Sequence, residues 1–362
     1  MYFNTKNDKY VLLQKKKLSQ KKLLVIGITG SYGKTSCKNI LRELLSIEYK
    51  VISTEKNFNT PMGIALSIDR INDDDEIFIV EMGARKKGDV AFLCDMVNPT
   101  HALITGVTEQ HLETFGTIDG IVEEKFCLAK SLPSNGFCVF NTNDKYALRM
   151  YKDYMGKKVS ACANKKGEIF ATEIKSGTFG SEFVLNIDKS TYKVKTKLLG
   201  KHNVINIVSC VALAYKLNVP IDKIVKKIET LEPIEHRLEY VYSNGIHILD
   251  DGYNANLLGV KSALEVLRTF PGKKIIVSQG IVELGESAER INKLAGVEIA
   301  KVADIVIVSG PNAKYLTDGL ELGNFNGELI HAKNMKKIQD VLKTTVNDGD
   351  TVLLQNDVPD IY

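Results

Sequence analysis

The sequence predicts an α/β protein of two domains, and three observations support that prediction. Short apolar runs typical of buried parallel strands alternate with helix-like stretches, first along residues 23–140 and again from residue 246. A chain of 362 residues exceeds the roughly 250 to 300 residues over which a single core keeps growing. Hydrophobic residues form 44% and charged residues 25% of the chain, the usual balance of a globular protein.

The first domain is predicted over residues 23–235. Four apolar runs separated by helix-like stretches indicate a mostly parallel, doubly wound sheet. These runs are residues 23–29, 77–80, 102–105 and 137–140. Between about residues 167 and 199 the pattern changes to short alternating segments rich in Thr, Val and Lys, which predicts a small antiparallel β appendage of the same domain. Helices are expected after it, over residues 204–217 and 221–231.

A second run of strand and helix alternation predicts a Rossmann-like α/β domain over residues 236–362, with the seam between the domains near residues 233–237. Its strands are expected at residues 246–249, 274–277, 304–308 and 351–354.

Residues 1–22 are predicted to be a basic N-terminal tail. Five lysines lie just before the first strand, namely Lys15, Lys16, Lys17, Lys21 and Lys22. A solvated tail is the simpler interpretation, and weak contact with an anionic membrane surface is the alternative.

Composition excludes several classes of protein. The net charge is +4, but Lys and Arg are spread along the whole chain, so a nucleic-acid-binding protein is not expected. The six cysteines form no C-x-x-C pair, which argues against a zinc site or a disulfide framework. No apolar run approaches the roughly 18 to 20 residues of a membrane span, and no signal peptide opens the chain. A cytoplasmic monomer is expected.

The strongest local signal is a glycine-rich turn between a predicted strand and a predicted helix, from Gly27 to Thr35 (GITGSYGKT). In a phosphate-binding P-loop, backbone N–H groups hold phosphate oxygens, the lysine neutralises charge and the hydroxyl ligates magnesium. The residues that fit these roles are Gly30, Ser31, Gly33, Lys34 and Thr35. The strict G-x-x-x-x-G-K-[ST] pattern fails because the upstream glycine is Gly27, so a chance glycine-rich turn is the alternative.

The shifted form T-G-S-x-G-K-T resembles the loop of the Mur ligases and the related folate polyglutamate synthetases. Further segments, in order, resemble the branch of the Mur ligases that adds D-alanyl-D-alanine. These segments are residues 57–64 (NFNTPMGI), 81–85 (EMGAR), 110–116 (QHLETFG), 124–126 (EKF), 200–206 (GKHNVIN), 235–237 (EHR), 250–256 (DDGYNAN), 282–286 (VELGE) and 356–360 (NDVPD). The resemblance covers roughly residues 23–362 and implies a P-loop central domain followed by the Rossmann-like domain.

Four residues are expected at the magnesium sites. Thr35 is expected there from the P-loop pattern, and Glu81 closes a buried strand, where a bare carboxylate is costly unless it is paired or metal-bound. A loop histidine and a helix lysine are by themselves more often structural or solvated. The resemblance implies instead that His111 ligates a second magnesium ion, and that Lys125 is carbamylated by carbon dioxide and helps to hold magnesium.

Other residues are expected to contact the nucleotide and the substrates. Asn203 and Asn206 start a predicted helix, where capping is the simple interpretation, and the resemblance implies adenine contacts. Arg237 at the seam is expected to reach the γ-phosphate and Asp251 the ribose, with inter-domain salt bridges as the alternative for both. The candidate substrate contacts are Asn59, Thr60, Asn254 and Asn256.

The resemblance implies an ATP-dependent ligase of cell-wall peptide synthesis. It would use two Mg²⁺ ions and the catalytic residues Lys34, His111, Lys125 and Arg237 to form ADP and an acyl phosphate. An amino acid or a dipeptide such as D-alanyl-D-alanine would then react with the activated peptide carboxylate. A non-catalytic nucleotide-binding scaffold and a nucleotide-driven switch are the alternatives.

Two departures from the family bear on the substrate. Typical members grip uridine diphosphate with a further N-terminal domain, whereas only residues 1–22 precede the first predicted strand here. A lipid-linked or modified muropeptide, or an archaeal pseudomurein-type peptide, is therefore expected as the acceptor. Leu257 stands where the family usually has proline, which puts the local turn and the amine pocket in question.

Overall fold

The computed structural model describes residues 6–110, 112–163, 167–253 and 256–355 and shows two α/β domains, each built on its own sheet. The strands of the first sheet are β1 (Leu24–Thr29), β2 (Val51–Ser53), β3 (Ile77–Glu81), β4 (His101–Ile104), β5 (Phe137–Asn141), β6 (Lys157–Cys162), β7 (Ile169–Gly177), β8 (Gly180–Ile187) and β9 (Ser190–Thr196). They lie side by side in the order β2-β3-β1-β4-β5-β6-β7-β8-β9.

Strands β1 to β7 pair in parallel, and β8 and β9 extend the sheet in antiparallel fashion. The predicted mostly parallel sheet with a small antiparallel appendage is confirmed. The apolar-run pattern missed two strands, β2 and β6. The first is only three residues long, and the second opens with two lysines, so neither presents a continuous apolar run.

Helices cover both faces of the first sheet. On one face pack α2 (Lys34–Leu45), α8 (Lys201–Lys216) and α9 (Ile221–Glu229). On the other face pack α3 (Pro61–Asp69), α4 (Asp89–Val97), α6 (Ile118–Lys130) and α7 (Lys145–Asp153), and the short α5 (Leu112–Phe115) precedes α6. Alternate residues of a strand point to opposite faces. Accordingly, Ile26 and Ile28 of β1 join the first core and Val25 joins the second.

The N-terminal segment is a docked helix, α1 (Lys6–Ser19), and the expectation of a solvated tail is wrong for these residues. Val11 and Leu18 are buried in the core beside α3 and α4. Lys15 pairs with Asp95 at 2.6 Å and Lys17 with Asp69 at 3.1 Å. The many lysines of this segment suggested solvation, but Lys15 and Lys17 form ion pairs with the domain. The apolar positions at helical spacing, Val11 and Leu18, were therefore overlooked.

The second sheet is mixed. Its strands are β10 (Glu239–Ser243), β11 (Ile246–Asp250), β12 (Lys274–Ser278), β13 (Ile305–Val308), β14 (Glu328–His331) and β15 (Thr351–Gln355), in the order β10-β11-β15-β12-β13-β14. Only β10 is antiparallel to its neighbour. The helices are α10 (Leu257–Leu267), α11 (Ala288–Ala300), α12 (Ala313–Leu322) and α13 (Met335–Thr345), with a single 3₁₀ turn at Gly285–Ser287. The predicted C-terminal α/β domain is confirmed.

The connection between the two sheets lies between the end of α9 at Glu229 and the start of β10 at Glu239. The predicted seam near residues 233–237 falls inside it, while the limits 23–235 and 236–362 stay predictions. Within the described parts of the chain, none of the helices combines the length and the apolar character needed to cross a bilayer.

Candidate active site

A cavity of about 780 Å³ lies between the two domains, at the carboxyl ends of the strands of both sheets. This is where open α/β sheets place their ligands. Eleven predicted site residues line it, namely Ser31, Gly33, Lys34, Thr35, Asn59, Glu81, Asn203, Asn206, Arg237, Asp251 and Asn256. Gly30 and Lys125 line a smaller cavity that shares Ser31, Lys34 and Asn59 with the large one. His111 and Asn254 lie outside the described residues.

The glycine-rich loop forms a tight cradle between β1 and α2. Gly33, the residue before α2, has φ +74°, and a Cβ there would lie 2.9 Å from Asn206 Oδ1. A Cβ on Gly30 would lie 1.9 Å from Thr105 Oγ1, so no larger residue fits. Lys34 Nζ donates to the Gly30 carbonyl at 2.9 Å. The loop therefore presents a helix N-terminus and a lysine to the same space, as a phosphate site requires.

Neighbouring side chains hold this loop in place. The backbone N–H of Ser31 donates to the Gly106 carbonyl at 2.7 Å, and Ser31 Oγ donates to the Thr108 carbonyl at 3.1 Å. Tyr32 Oη donates to the buried carboxylate of Asp144 at 3.1 Å. Burial raises the pKa of Asp144, while backbone N–H groups and Tyr32 oppose that rise. Asp144 was not among the predicted site residues, because it lies more than a hundred positions from the loop in the sequence, as the N-cap residue of α7 after β5.

Glu81 is the buried carboxylate of the site, with 1% of its surface exposed. Asn59 Nδ2 donates to Oε1 at 3.2 Å, while Oε2 lies 3.3 Å from Lys38 Nζ and accepts no hydrogen bond. Burial alone would raise the pKa of Glu81, but the charges of Lys38 and Lys34 outweigh it and hold the pKa below its usual value.

These donors fit a magnesium ion. The Glu81 carboxylate, whose Oε2 accepts no hydrogen bond, and Thr35 line the same cavity and offer the hard oxygen ligands that Mg²⁺ prefers. Among the described residues, no group of three His, Cys, Asp or Glu side chains forms a metal cluster.

Lys38 is a site residue that the sequence analysis missed. Its side chain is 1% exposed, contacts Glu81 and donates to the Lys56 carbonyl. Burial lowers the pKa of Lys38, and Glu81 opposes that shift. The available signal was its position one helical turn after Lys34, on the apolar face of α2 beside Cys37 and Leu41.

Lys125 and its neighbour Glu124 lie on α6 and have different roles. Lys125 is 4% exposed, and burial together with the charge of Lys34 lowers its pKa to about 7. Glu124 faces away from that cavity. Its carboxylate accepts the backbone N–H groups of Gly88 at 2.8 Å and Val90 at 2.6 Å, which caps α4. Only Lys125 is therefore placed to take part in chemistry.

Arg237 crosses the seam. Its Nη2 donates to Thr35 Oγ1 at 3.4 Å, and its Nη1 donates to the Tyr253 carbonyl at 2.9 Å. The guanidinium also lies 4.2 Å from the centre of the Tyr253 ring. Nearby, burial raises the pKa of Asp251 to about 6, although Arg237 lowers it. The C-terminal domain thus brings a fixed cation to the mouth of the P-loop.

The expectation that the two asparagines of α8 cap the helix is wrong. The N-cap of α8 is Gly200, which makes no side-chain cap. Asn203 Nδ2 donates to the Leu199 carbonyl at 2.9 Å, and Asn206 Nδ2 donates to Asn203 Oδ1 at 3.5 Å. Both side chains are buried and line the large cavity. Contact with adenine stays a prediction.

Thr60 and Asn256 do cap helices. Thr60 Oγ1 accepts from Gly63 N at 3.4 Å at the start of α3, and Thr60 lines neither of the two cavities. Asn256 Oδ1 accepts from the backbone N–H groups of Leu258 and Gly259 at 3.1 and 3.0 Å. Leu257 is the first residue of α10, a position where proline is also favoured. Leucine at this position therefore leaves the turn regular.

Comparison with known proteins agrees with this geometry. The family model of the Mur ligase middle domain matches residues 28–214, and that of the glutamate ligase domain of the Mur ligases matches residues 236–355. A UDP-N-acetylmuramoyl-tripeptide–D-alanyl-D-alanine ligase from Bacillus subtilis is 27% identical over 91% of this chain and 72% of its own length. The UDP-N-acetylmuramoyl-tripeptide–D-alanyl-D-alanine ligase from Escherichia coli is 29% identical over 78% of this chain, and the match spans 63% of that ligase.

Solved structures are similar over almost the whole chain. The MurF ligase from Thermotoga maritima in complex with ADP superimposes with a TM-score of 0.86 at 27% identity, covering 98% of this chain and 81% of that one. A pseudomurein peptide ligase type C from Methanothermus fervidus has a TM-score of 0.75 at 21% identity, covering 94% of this chain and 77% of that one, and shows the fold alone. With both family models matched across the phosphate cradle and the seam, the chain belongs to the Mur ligase family of ADP-forming, ATP-dependent ligases.

Proposed function

We propose that this Mur-type ligase joins an amino acid or a dipeptide such as D-alanyl-D-alanine to a peptide carboxylate of a cell-wall precursor. The acceptor carboxylate would take the γ-phosphoryl group of ATP, giving ADP and an acyl phosphate. The incoming amine would then displace phosphate and form the amide bond. The bacterial relatives are UDP-N-acetylmuramoyl-tripeptide–D-alanyl-D-alanine ligases, which supports D-alanyl-D-alanine as the first dipeptide to test.

One observation supports this chemistry above the others: Lys34 lines both cavities at once. The large cavity opens toward the C-terminal domain and is wide enough for a nucleotide. The small cavity lies on the central-domain side, and Arg85 and Lys125 lie in its wall. A nucleotide phosphate at the P-loop would therefore lie next to the small cavity, where the positive charge of Arg85 suits an acceptor carboxylate.

The side chains divide the work. Lys34 and the N-terminus of α2 would hold the phosphoryl oxygens, and Arg237 would add positive charge from the C-terminal side when that domain is seated. Asn59 and Lys38 keep the Glu81 carboxylate directed at the loop. Magnesium, when bound to Glu81 and Thr35, would supply further positive charge beside the transferring group. The protein itself provides no nucleophile in this scheme.

We propose that Lys125 is carbamylated. A lysine with a pKa of about 7 is largely neutral above that pH, and the neutral amine is the form that attacks carbon dioxide and loses a proton. The product is a buried anion next to Lys34. Lys125→Ala should lose most activity and regain part of it when a short carboxylic acid is added. Full activity of the unsupplemented variant would disprove the role.

Two other functions are less well supported. A pseudomurein-type acceptor would use the same chemistry, and the shared fold alone favours it. A non-catalytic scaffold has no need of Lys34, Thr35, Glu81 and Lys125 lining two adjoining cavities.

The experiment that tests the proposal is phosphate release from ATP and Mg²⁺. Muropeptide acceptors with and without a uridine diphosphate or lipid group, and pseudomurein-type peptides, are each paired with single amino acids and with D-alanyl-D-alanine. Release that requires both a carboxylate and an amine would establish the ligase and identify its substrates. Release without an amine would support a nucleotide-driven switch. No release with any pair would support the scaffold.

The outer face of α1 suggests where a lipid-linked acceptor would be met. Leu12 and Leu13 are 43% and 61% exposed, and Lys9 and Lys16 on the same side are exposed too. We propose weak contact of this face with anionic membrane surfaces. Sedimentation with phosphatidylglycerol vesicles should exceed that with phosphatidylcholine vesicles and should fall in Lys9→Glu/Lys16→Glu. Equal sedimentation with both vesicles would end this proposal.

A further inference from the structure

Arg237 is attached to the C-terminal domain, because the segment that contains it is bound to the end of β11. His236 Nδ1 lies 2.8 Å from Asp250 Oδ2, and Arg237 Nη1 donates to the Tyr253 carbonyl at 2.9 Å. The backbone N–H of Leu238 also donates to Asp251. The guanidinium is therefore part of the turn that follows β11. Its contact with Thr35 at 3.4 Å is a contact between the two domains.

Tyr253 gives this turn a second contact with the central domain. The face of its ring supports the Arg237 guanidinium at 4.2 Å, while its hydroxyl accepts a hydrogen bond from Asn57 Nδ2. Asn57 lies in the loop between β2 and α3 and lines the large cavity. One tyrosine thus contacts both the cation that points at Thr35 and a loop of the other domain.

That loop, residues 54–60, is tied closely to Glu81. Thr54 Oγ1 accepts the Glu81 N–H at 3.1 Å, and Asn59 Nδ2 donates to Glu81 Oε1 at 3.2 Å. The Asn59 carbonyl accepts from Gly83 N at 2.9 Å. Lys38 contacts both the loop, at the Lys56 carbonyl, and the Glu81 carboxylate. A displacement of Asn57 would therefore also displace the contacts that hold Glu81 at the end of β3.

We propose that Tyr253 and Asn57 are a pair of positioning residues that couple seating of the C-terminal domain to the alignment of the phosphate site. Tyr253 directs Arg237 at Thr35, and its hydrogen bond with Asn57 sets the distance between that turn and the loop that orients Glu81. The expected effect of this coupling on turnover rests on the proposed function. The coupling itself is a property of the chain without ligands.

The coupling predicts that the two sides of the pair act as one unit. Tyr253→Phe keeps the ring beneath Arg237 and removes only the hydroxyl, and Asn57→Ala removes the partner. Each should lower kcat roughly two- to tenfold, the effect of one hydrogen bond, with a smaller change in the KM for ATP. Because both remove the same contact, the double variant should be no slower than the slower single variant.

The closing experiment is amide hydrogen exchange on the ligand-free protein, with Tyr240→Phe as the matched control. Tyr240 also lies in the C-terminal domain, its hydroxyl lies 2.9 Å from His247 Nδ1 in the same domain, and it lines neither of the two cavities. We expect Tyr253→Phe and Asn57→Ala to speed exchange at Phe58 and Gly83, whose N–H groups are hydrogen-bonded within this loop region. Exchange in α1 should stay unchanged.

Unchanged exchange at Phe58 and Gly83 in both variants would overturn the inference, as would an equal effect of Tyr240→Phe. Faster exchange throughout the central domain would indicate a general loss of stability and would also count against it. If exchange changes as expected but no substrate pair releases phosphate, the proposed function fails while the coupling stands.

Discussion

The two sides of the cavity differ in how they hold their charged groups. On the central side, Lys38, Glu81 and Lys125 are almost fully buried and lie close to Lys34, and burial and mutual charge shift their pKa values. On the C-terminal side, Asp251 also has a shifted pKa, but Arg290 is exposed and pairs across the seam with Glu109. The difference indicates that the phosphate site is assembled within the central domain, and that the C-terminal domain completes it by approach.

The largest expected effect is on the central side. Lys34→Ala removes the cation that lines both cavities, and turnover should fall by roughly a hundred- to a thousandfold, as when one charge-stabilising group is removed from an active site. Phosphate release measures this loss, and the midpoint of thermal unfolding should stay close to that of the wild type. Lys50→Ala, at an exposed ion pair with Asp74, is the control. A loss of turnover of less than tenfold in Lys34→Ala would contradict the inference that the phosphate site is assembled within the central domain.

The next effect concerns stability at Lys125. Its folded pKa is about 7 against 10.5 for the free side chain, so between these values the unfolded chain binds more protons and stability rises with pH. In buffer freed of carbon dioxide, where the Lys125 side chain stays a free amine, Lys125→Met should be inactive yet more stable than the wild type at pH 7, by roughly 1 to 4 kcal/mol, as when buried ionic groups are replaced by apolar ones. Thermal unfolding from pH 7 to 10 should show this advantage shrinking. A less stable variant at pH 7 would show that the lysine serves the fold.

On the C-terminal side, Asp251 should make a smaller contribution with the opposite dependence on pH. Burial raises its pKa from 3.8 to about 6, so the folded chain binds more protons in that window and loses stability as the pH rises through it. Asp251→Asn should therefore gain stability relative to the wild type between pH 4 and pH 6. Thermal unfolding at several pH values checks this, and a constant difference would contradict it. Asp340→Asn, at an exposed position of α13 in the same domain, is a control for general effects of removing a carboxylate.

The smallest effect is expected at the seam. Arg290 and Glu109 form an exposed ion pair, and such pairs contribute roughly 0 to 1 kcal/mol. Arg290→Glu should raise the KM for ATP by no more than about fivefold, and Arg290→Glu/Glu109→Arg should restore it. Initial rates at low and high salt test the pair, since screening should reduce the effect. A loss of turnover in Arg290→Glu as large as that in Lys34→Ala would show that the two sides of the cavity contribute equally to the phosphate site.

Much of the site was predictable because its residues occur in short motifs next to strand ends. The glycine-rich loop follows β1 and Glu81 closes β3, and the parallel pairing of these two strands brings both to one edge of the sheet. Arg237 was predicted from its position at the seam and from the family resemblance. Lys38 and Tyr253 were not singled out. A lysine on an apolar helix face has no distinctive pattern, and the segment DDGYNAN that contains Tyr253 does not by itself assign a role to the tyrosine. The roles of both residues depend on contacts with residues far away in the chain.

The same limit applies to residues that were misread. Thr60 caps α3, a role that the sequence did not reveal because a capping threonine and a ligand-binding threonine look alike in a sequence, and its contact with substrate stays a prediction. The lysines before β1 indicated a solvated tail, yet α1 docks through Val11 and Leu18 with ion pairs around them.

The sequence by itself determined the fold class, the positions of the strands that have a clear apolar pattern, the phosphate loop and the family, because periodicity and contiguous motifs are local properties. Only the tertiary structure decided which buried groups share a charge cluster, that Glu124 caps a helix while Lys125 faces a cavity, and that Tyr253 links two domains. These depend on distances between residues up to about two hundred positions apart. Burial and Coulomb interactions act through space, and no local pattern records them.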